Sequence, residues 1–310
     1  MSRIVIALGG NALGNNPDEQ KQLIKIATKK IAELVNGQNE VVIGHGNGPQ
    51  VGMIFNTFLN CSEKNKFIMP FPEAGAMSQG YIGYHILTSL KNELIKQNKN
   101  NVNPLYFLTQ TIVNKNDSSF NNPTKPVGPF YSTLDEAKSA NPNSVVKEDS
   151  NRGYRKVVAS PLPIDFLGFD AIKQSISKDN VIVVSGGGGI PTVVDNDGQY
   201  YGVDGVIDKD FALSKFASKI QADMFIILTA VSKVCIDFGQ PSQKELANIS
   251  INEASQYIAQ KQFGEGSMLP KVQAAIEFVR NNPNGKAIIA KLEELEDAIN
   301  GRNGTIISAN

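Results

Sequence analysis

Val181-Ile182-Val183-Val184-Ser185-Gly186-Gly187-Gly188-Gly189 is an apolar, β-branched run that ends in four consecutive glycines. The pattern occurs twice more, where Ile4-Val5-Ile6-Ala7-Leu8 enters Gly9-Gly10-Asn11 and where Val41-Val42-Ile43 enters Gly44-His45-Gly46-Asn47-Gly48. Short Val/Ile runs bounded by turn residues suit strands buried on both faces, as in a parallel sheet covered by helices. Glycines at the strand ends let backbone N–H groups approach a ligand with no side chain intervening. In open α/β sheets the ligand crevice lies at the carboxyl ends of the strands, where all three clusters fall, and such loops commonly hold phosphate.

Working outward, strand and helix signals alternate. Pro17 and Asp18 precede a segment with Leu23, Ile24, Ala27, Ile31, Leu34 and Val35 on one helical face, closed near Asn36-Gly37 and followed by a strand at Glu40 to Ile43. The second loop runs through Pro49 into a helix expected over Gln50 to Leu59. Met77 to Gln97 is helical in pattern, and Leu105 to Thr111 reads as a strand. After the four glycines come a hairpin at Asp195-Asn196-Asp197-Gly198, a helix carrying Phe211, Leu213, Phe216, Ala217 and Ile220, and a strand at Met224 to Thr229. A further helix starts at Leu269 or Pro270, and Lys286 to Ala290 and Thr305 to Ser308 are candidate final strands. Asn114 to Ser160 breaks the rhythm, with Asn121-Asn122-Pro123, Lys125-Pro126-Val127-Gly128-Pro129 and Asn141-Pro142-Asn143. A loop of that length inside a compact domain reads as an inserted lid or small subdomain, against the blander reading of a tolerated surface insertion.

Composition excludes several classes. The 310 residues suffice for one large α/β domain or two lobes of about 150 residues. Thirty basic residues balance thirty acidic ones, which argues against nucleic-acid binding through bulk charge. No apolar run approaches the roughly 20 residues that cross a bilayer, and the five-residue run after Met1-Ser2-Arg3 is too short for a signal-peptide core, so the expected location is the cytoplasm. Cys61 and Cys235 lie far apart, and His45 and His85 are the only histidines, so neither a disulfide framework nor a Cys/His zinc site is indicated.

The G-x-x-x-x-G-K-[ST] loop of P-loop nucleotidases is absent, and both glycine clusters that could offer a dinucleotide G-x-G-x-x-G miss it. What the chain carries instead is lysines in punctuated settings: Lys125 between Thr124 and Pro126, Lys209 between Asp208 and Asp210, and Lys271 after Pro270 at a helix start. Each alone reads as a surface lysine. Together they suit phosphoryl transfer, which spreads negative charge over equatorial oxygens and asks the protein for fixed cations and N–H donors. Asp210 either holds lysine ammoniums in place or contacts magnesium, and the first role is favoured because a carboxylate between cations keeps them charged and oriented. Magnesium is then expected on the nucleotide phosphates, with no metal ligand from the protein.

Gly9-Gly10-Asn11-Ala12-Leu13, His45 to Gly52, Met77 to Tyr84, Pro123-Thr124-Lys125-Pro126-Val127-Gly128-Pro129, Gly186 to Pro191, Val206-Ile207-Asp208-Lys209-Asp210 and Gly266-Ser267-Met268-Leu269-Pro270-Lys271 resemble, in order from end to end, the carbamate kinases. The glycine loops alone would indicate only the wider amino-acid kinases, such as acetylglutamate kinase; the Pro-Thr-Lys-Pro-Val-Gly and Gly-Ser-Met-x-Pro-Lys segments are more specific. The resemblance implies a three-layer αβα sandwich with a mainly parallel sheet of about eight strands, assembled as a homodimer. It implies reversible phosphoryl transfer between ATP and carbamate, running toward ATP from carbamoyl phosphate in arginine fermentation. Residues 1–178, with a lid at about 114–160, would form the carbamate side, and residues 179–310 the nucleotide side. Gly9, Gly10, Asn11, Gly46, Asn47 and Gly48 would surround the transferred group and acceptor. Lys209 and Lys271 would bridge the phosphates, Asp210 would orient them, and Lys125 would arrive with the lid. Gly187, Gly188, Thr229, Ala230, Val231 and Met268 would take the nucleotide. His45 is expected to be structural, since carbamate is already an anion and needs no base. Met77 to Tyr84 reads equally as core helix or dimer face, and the resemblance favours the latter. The alternatives are a catalytically silent nucleotide-binding regulator of the same fold or another amino-acid kinase.

Overall fold

The glycine-terminated runs are neighbours in one sheet. The computed structural model describes residues 2–14, 16–65, 69–142, 144–149 and 152–310, and leaves the side chains of residue 11 and residues 60–65 outside the description. Within those residues eight strands pair in the order Asn248–Ser250, Thr305–Ser308, Lys286–Lys291, Met224–Thr229, Ser2–Leu8, Asn39–His45, Asn180–Val184 and Asn103–Tyr106. Six are mutually parallel, and the two at the Asn248 edge run the other way, because Thr305–Ser308 pairs antiparallel with Lys286–Lys291.

The central strands are buried on both faces. Val5, Ala7, Val42, Ile182, Val184, Phe225 and Ile227 point to one face, where helices Lys209–Lys219 and Met268–Asn281 bury Leu213, Phe216, Ala275 and Phe278 against them. Ile4, Ile6, Val41, Ile43, Val181, Val183 and Ile226 point to the other, beneath helices Pro17–Leu34 and Phe71–Lys96 with Ile24, Ile31, Ile82 and Ile86. Period-two side chains on a sheet covered on both sides must be apolar in both phases, which makes three layers. The first helix starts where the sequence signals it: Asn16 accepts from the N–H groups of Asp18 and Glu19, and Pro17 occupies the first turn.

One strand expectation is corrected. Leu105 to Thr111 is two strands in different sheets: Asn103–Tyr106 edges the central sheet, while Gln110–Val113 joins Tyr200–Gly202, Ile190–Val194 and Pro163–Phe166 in a four-stranded one. Gln79 sits at the break, its amide donating to the Thr109 carbonyl (3.0 Å) and accepting from the Thr109 N–H (2.8 Å), so that this N–H has no strand partner while the carbonyl also accepts from the Ile190 N–H at 2.9 Å. The stretch without sustained period does contain strands: Lys125–Tyr131, Tyr154–Val158 and Val146–Glu148 form an antiparallel sheet of their own with helix Leu134–Ala140. Their alternation is hidden by Pro126, Pro129 and Gly128, which has φ +74° where the register shifts. The Arg155 guanidinium donates to the Gly128 carbonyl at 3.1 and 2.8 Å and fills the gap in the ladder.

Candidate active site

At the start of helix Lys209–Lys219, Asp208 accepts from the Asp210 N–H at 2.9 Å and caps it. That turn projects Lys209 and Asp210 beyond the carboxyl ends of the central strands. Lys209 Nζ donates to Asp210 Oδ1 at 2.5 Å, and Lys271 Nζ, from the first turn of helix Met268–Asn281, donates to Asp210 Oδ2 at 2.8 Å. Lys125 Nζ stands 3.5 Å from Asp208 Oδ2. Lys209 and Lys271 therefore meet at Asp210, and Lys125 reaches its near neighbour Asp208, from three separate parts of the chain.

Asp210 is only 2% exposed. Burial alone would push its carboxyl up, but Lys209 and Lys271 outweigh that and hold it below the usual carboxylate range. Burial pushes the Lys209 ammonium below its usual value against the pull of Asp210, and the charge of Lys271 lowers it further. Two ammoniums sharing one carboxylate leave a net positive charge in a place poor in water, a standing attraction for an anion.

The glycine loops surround this cluster unequally. A Cβ at Gly46 would lie 3.6 Å from the Lys209 side chain, so that loop backs directly onto the lysine, whereas Cβ atoms at Gly10 and Gly48 would meet nothing within 4 Å. Gly9 is set by packing, since a Cβ there would stand 2.7 Å from the Leu228 carbonyl oxygen. Gly44, read as part of the second loop, belongs to strand Asn39–His45, and a Cβ would lie 2.4 Å from Leu213. Asn47 donates from Nδ2 to Ser78 Oγ at 2.9 Å, and Ser78 donates to the Gly75 carbonyl at 2.7 Å, which fixes the amide. The Asn11 side chain falls outside the described residues.

The third loop is built by close approach. Gly187, Gly188 and Gly189 have φ of +64°, +87° and +87°, and Cβ atoms on them would lie 2.1 Å from the Asn47 amide, the Ile207 carbonyl oxygen and Thr111 Oγ1 respectively, to within 0.1 Å. Gly186 abuts the ring of His45 and the hydroxyl of Tyr106. His45 Nδ1 donates to the Gly46 carbonyl (2.7 Å), so Nε2 is left to accept from Tyr106 Oη (3.0 Å). Burial lowers the His45 pKa to about 4, against the raising effect of the Gly46 bond. A neutral, doubly bonded imidazole between two glycine loops is a brace.

Thr229, Ala230, Val231 and Met268 line one cavity of about 280 Å³ at the end of strand Met224–Thr229, and Lys271, bonded to Asp210, is on its wall. Gly187 lies elsewhere, in a narrow cleft of about 20 Å³ with Asn47, Val51, Phe71 and Val206, and Gly188 packs under Ile207 beside it. Sequence reading missed Phe238, Lys233 and Cys235 on the cavity wall. Phe238 is 71% exposed, and an aromatic residue followed by Gly239 in the turn of a hairpin was the available signal. Among the described residues no cluster of three or more His, Cys, Asp or Glu side chains could hold a metal, and none of the helices there is long and apolar enough to cross a membrane.

Lysines joined through a buried carboxylate at the end of a parallel sheet, between a small cleft and a larger cavity, define a phosphoryl-transfer enzyme. Residues 2–291 match the amino acid kinase family, and the chain belongs to it. Within that family its kin are the carbamate kinases. The chain is 54% identical to a carbamate kinase-like protein of Mycoplasma pneumoniae and 48% identical to a carbamate kinase of Staphylococcus haemolyticus, each match covering 99% of both sequences. A solved carbamate kinase from Giardia lamblia bound to AMP-PNP superposes with a TM-score of 0.92 at 38% identity, covering 99% of this chain and 98% of that one. The resemblance carried by the sequence motifs is borne out.

Proposed function

We propose that the chain transfers a phosphoryl group reversibly between carbamoyl phosphate and ADP, and that Asp210, Lys209 and Lys271 are the core of its machinery. The observation that carries this reading is the sharing of one buried carboxylate by two lysines, one against the Gly46 loop and one on the wall of the Thr229–Met268 cavity. In the ATP-forming direction a β-phosphate oxygen of ADP attacks phosphorus as the P–O bond to carbamate breaks, and the leaving group departs as the carbamate anion. No proton need be taken or given, which agrees with a neutral, braced His45. Lys209 and Lys271 neutralise the equatorial oxygens and stay aligned because Asp210 holds both, and open space at Gly10 and Gly48 leaves room for backbone N–H donors.

Both Asp210 oxygens accept from lysine N–H groups, so the charge of this carboxylate is engaged by two ammoniums. Magnesium would accordingly ride on nucleotide phosphates, supplying further charge neutralisation there. The nucleotide base fits the Thr229, Ala230, Val231 and Met268 cavity with Phe238 at its rim. Gly187 and Gly188 then serve the nucleotide indirectly, by setting Asn47 and the lead-in to Lys209. Residues 1–178 would hold the small acceptor and 179–310 the nucleotide. The 125–158 subdomain would act as the lid, its Val127 and Val158 seated on Val51, Phe55 and Phe71. A homodimer through helix Phe71–Lys96 is supported by Met77 and Tyr84 on its outer side, Tyr84 being 64% exposed. A cytoplasmic setting and net ATP formation in arginine breakdown belong to the same reading, supported by its kinship with carbamate kinases.

The test is ATP formation from ADP, magnesium and carbamoyl phosphate, run beside acetyl phosphate and beside the reverse assay with acetylglutamate. Turnover confined to the carbamoyl pair is expected. ADP binding without turnover by folded protein would leave the silent-regulator alternative in its place.

A further inference from the structure

Asp208 has both carboxylate oxygens engaged. Oδ1 accepts from the Asp210 N–H at 2.9 Å and caps the catalytic helix, while Oδ2 faces Lys125 Nζ at 3.5 Å. Lys125 begins the first strand of the 125–158 subdomain, and its neighbour Thr124 donates its N–H to the Val158 carbonyl at 3.1 Å. A second ion pair, Lys156 to Asp204 at 2.9 Å, fastens the subdomain at the surface but does not reach the helix. Asp208 is therefore a direct polar link between the inserted subdomain and the turn that carries Lys209 and Asp210. Its backbone is continuous with Ile207, whose carbonyl oxygen forces glycine at position 188.

We propose that Asp208 is a positioning residue for the reaction, aligning Lys125 over the transferred phosphoryl as Asp210 aligns Lys209 and Lys271. Three ammoniums on two adjacent carboxylates leave one net positive charge, so the third lysine is kept near the site without raising its repulsion from the other two. The contact between Lys125 and Asp208 is partly exposed, and an anionic substrate competes for the same ammonium. The pair thus gives the lysine direction without trapping it. This rests on the phosphoryl-transfer reading above.

Asn caps a helix as well as Asp, so Asp208→Asn removes the charge facing Lys125 and keeps the cap. In the otherwise unaltered enzyme this change is expected to lower kcat about tenfold with KM for ADP unchanged; on a Lys125→Ala background it should cost nothing further. The chain has no tryptophan, so Phe130→Trp, on the outer side of the subdomain, supplies a lone emitter there. Its acrylamide quenching should rise equally in Asp208→Asn, in Lys125→Ala and in the double variant. An equal loss of kcat in both backgrounds, or no loss in either, overturns the proposal, as does quenching that ignores both substitutions. If the parent enzyme shows no turnover, the proposed function fails, and the quenching series alone decides the link between Asp208 and Lys125.

Discussion

Lys271 Nζ lies 2.8 Å from Asp210 Oδ2, and that bond ties helix Met268–Asn281 to helix Lys209–Lys219 at their N-terminal ends. Both helices lie on one face of the sheet and pack through Leu213, Ala275 and Phe278. The helices' packing sets the spacing of the charges, and Asp210 sets their orientation.

Lys271→Ala and Lys209→Ala should each lower kcat by about 10² to 10³, the cost of removing one preorganised electrostatic donor. Lys125→Ala should cost less, because its partner contact is looser and its side chain is 38% exposed. Steady-state rates for the three variants check the ranking, and parent-like turnover in all of them would remove the lysines from the mechanism.

Asp210→Asn should be more damaging to stability than either lysine change. It leaves two largely buried ammoniums on a neutral amide, and breaking a fully buried pair would cost about 3 to 5 kcal/mol. A urea midpoint at pH 7 no lower than that of Lys271→Ala would contradict this.

Below pH 6.5 the buried His45 should weaken the fold. Its folded pKa is about 4 against 6.5 for the ordinary imidazole, so between those values the unfolded chain binds more protons and stability falls as the pH is lowered. The loss is on the order of 3 kcal/mol when complete near pH 4. Asp210 acts in the same sense at lower pH: its depressed folded value means that its contribution, present above the ordinary carboxylate pKa, disappears as the pH falls through the folded one. Denaturation at pH 4.5 and 7 should show the drop in the parent protein, and His45→Gln should shrink the difference.

Glycine substitutions should separate contact with substrate from packing. Gly10→Ala and Gly48→Ala introduce a methyl into open space, so melting temperature should hold while turnover falls. Gly187→Ala drives a methyl onto the Asn47 amide at a left-handed φ and should lower the melting temperature by several degrees. A stable Gly187→Ala variant would show that the loop can shift.

Phe238→Ala should raise KM for ADP several-fold with little change in kcat, since an exposed aromatic on the cavity rim contributes binding that is alike in ground and transition states. A fall in kcat with KM unchanged would place Phe238 in the chemistry instead.

The central sheet was legible because its information is local. Val181 to Val184 announces itself by a β-branched run ending in glycines, Met224 to Thr229 and Thr305 to Ser308 by short runs rich in isoleucine, and Asn16-Pro17 marks a helix start on its own. The 125–158 sheet was not, since prolines and Gly128 erase its alternation and Arg155 supplies the missing bonds from another strand. Likewise Gln79, thirty residues from Thr109, sits at the break in what reads as one strand.

From the sequence alone came the parallel α/β class, the glycine loops at strand ends, the identity of Lys125, Lys209, Asp210 and Lys271, and the family they resemble. Those follow from residue type and short-range order. Tertiary structure alone decided that Asp210 is shared by Lys209 and Lys271, that Lys125 turns to Asp208, and that Gly187 packs on Asn47 instead of lining the Thr229 cavity. Apart from the bond between the adjacent Lys209 and Asp210, each of these is a contact between segments far apart in the chain. Helix packing and sheet order fix such distances, and the spacing of residues along the sequence does not encode them.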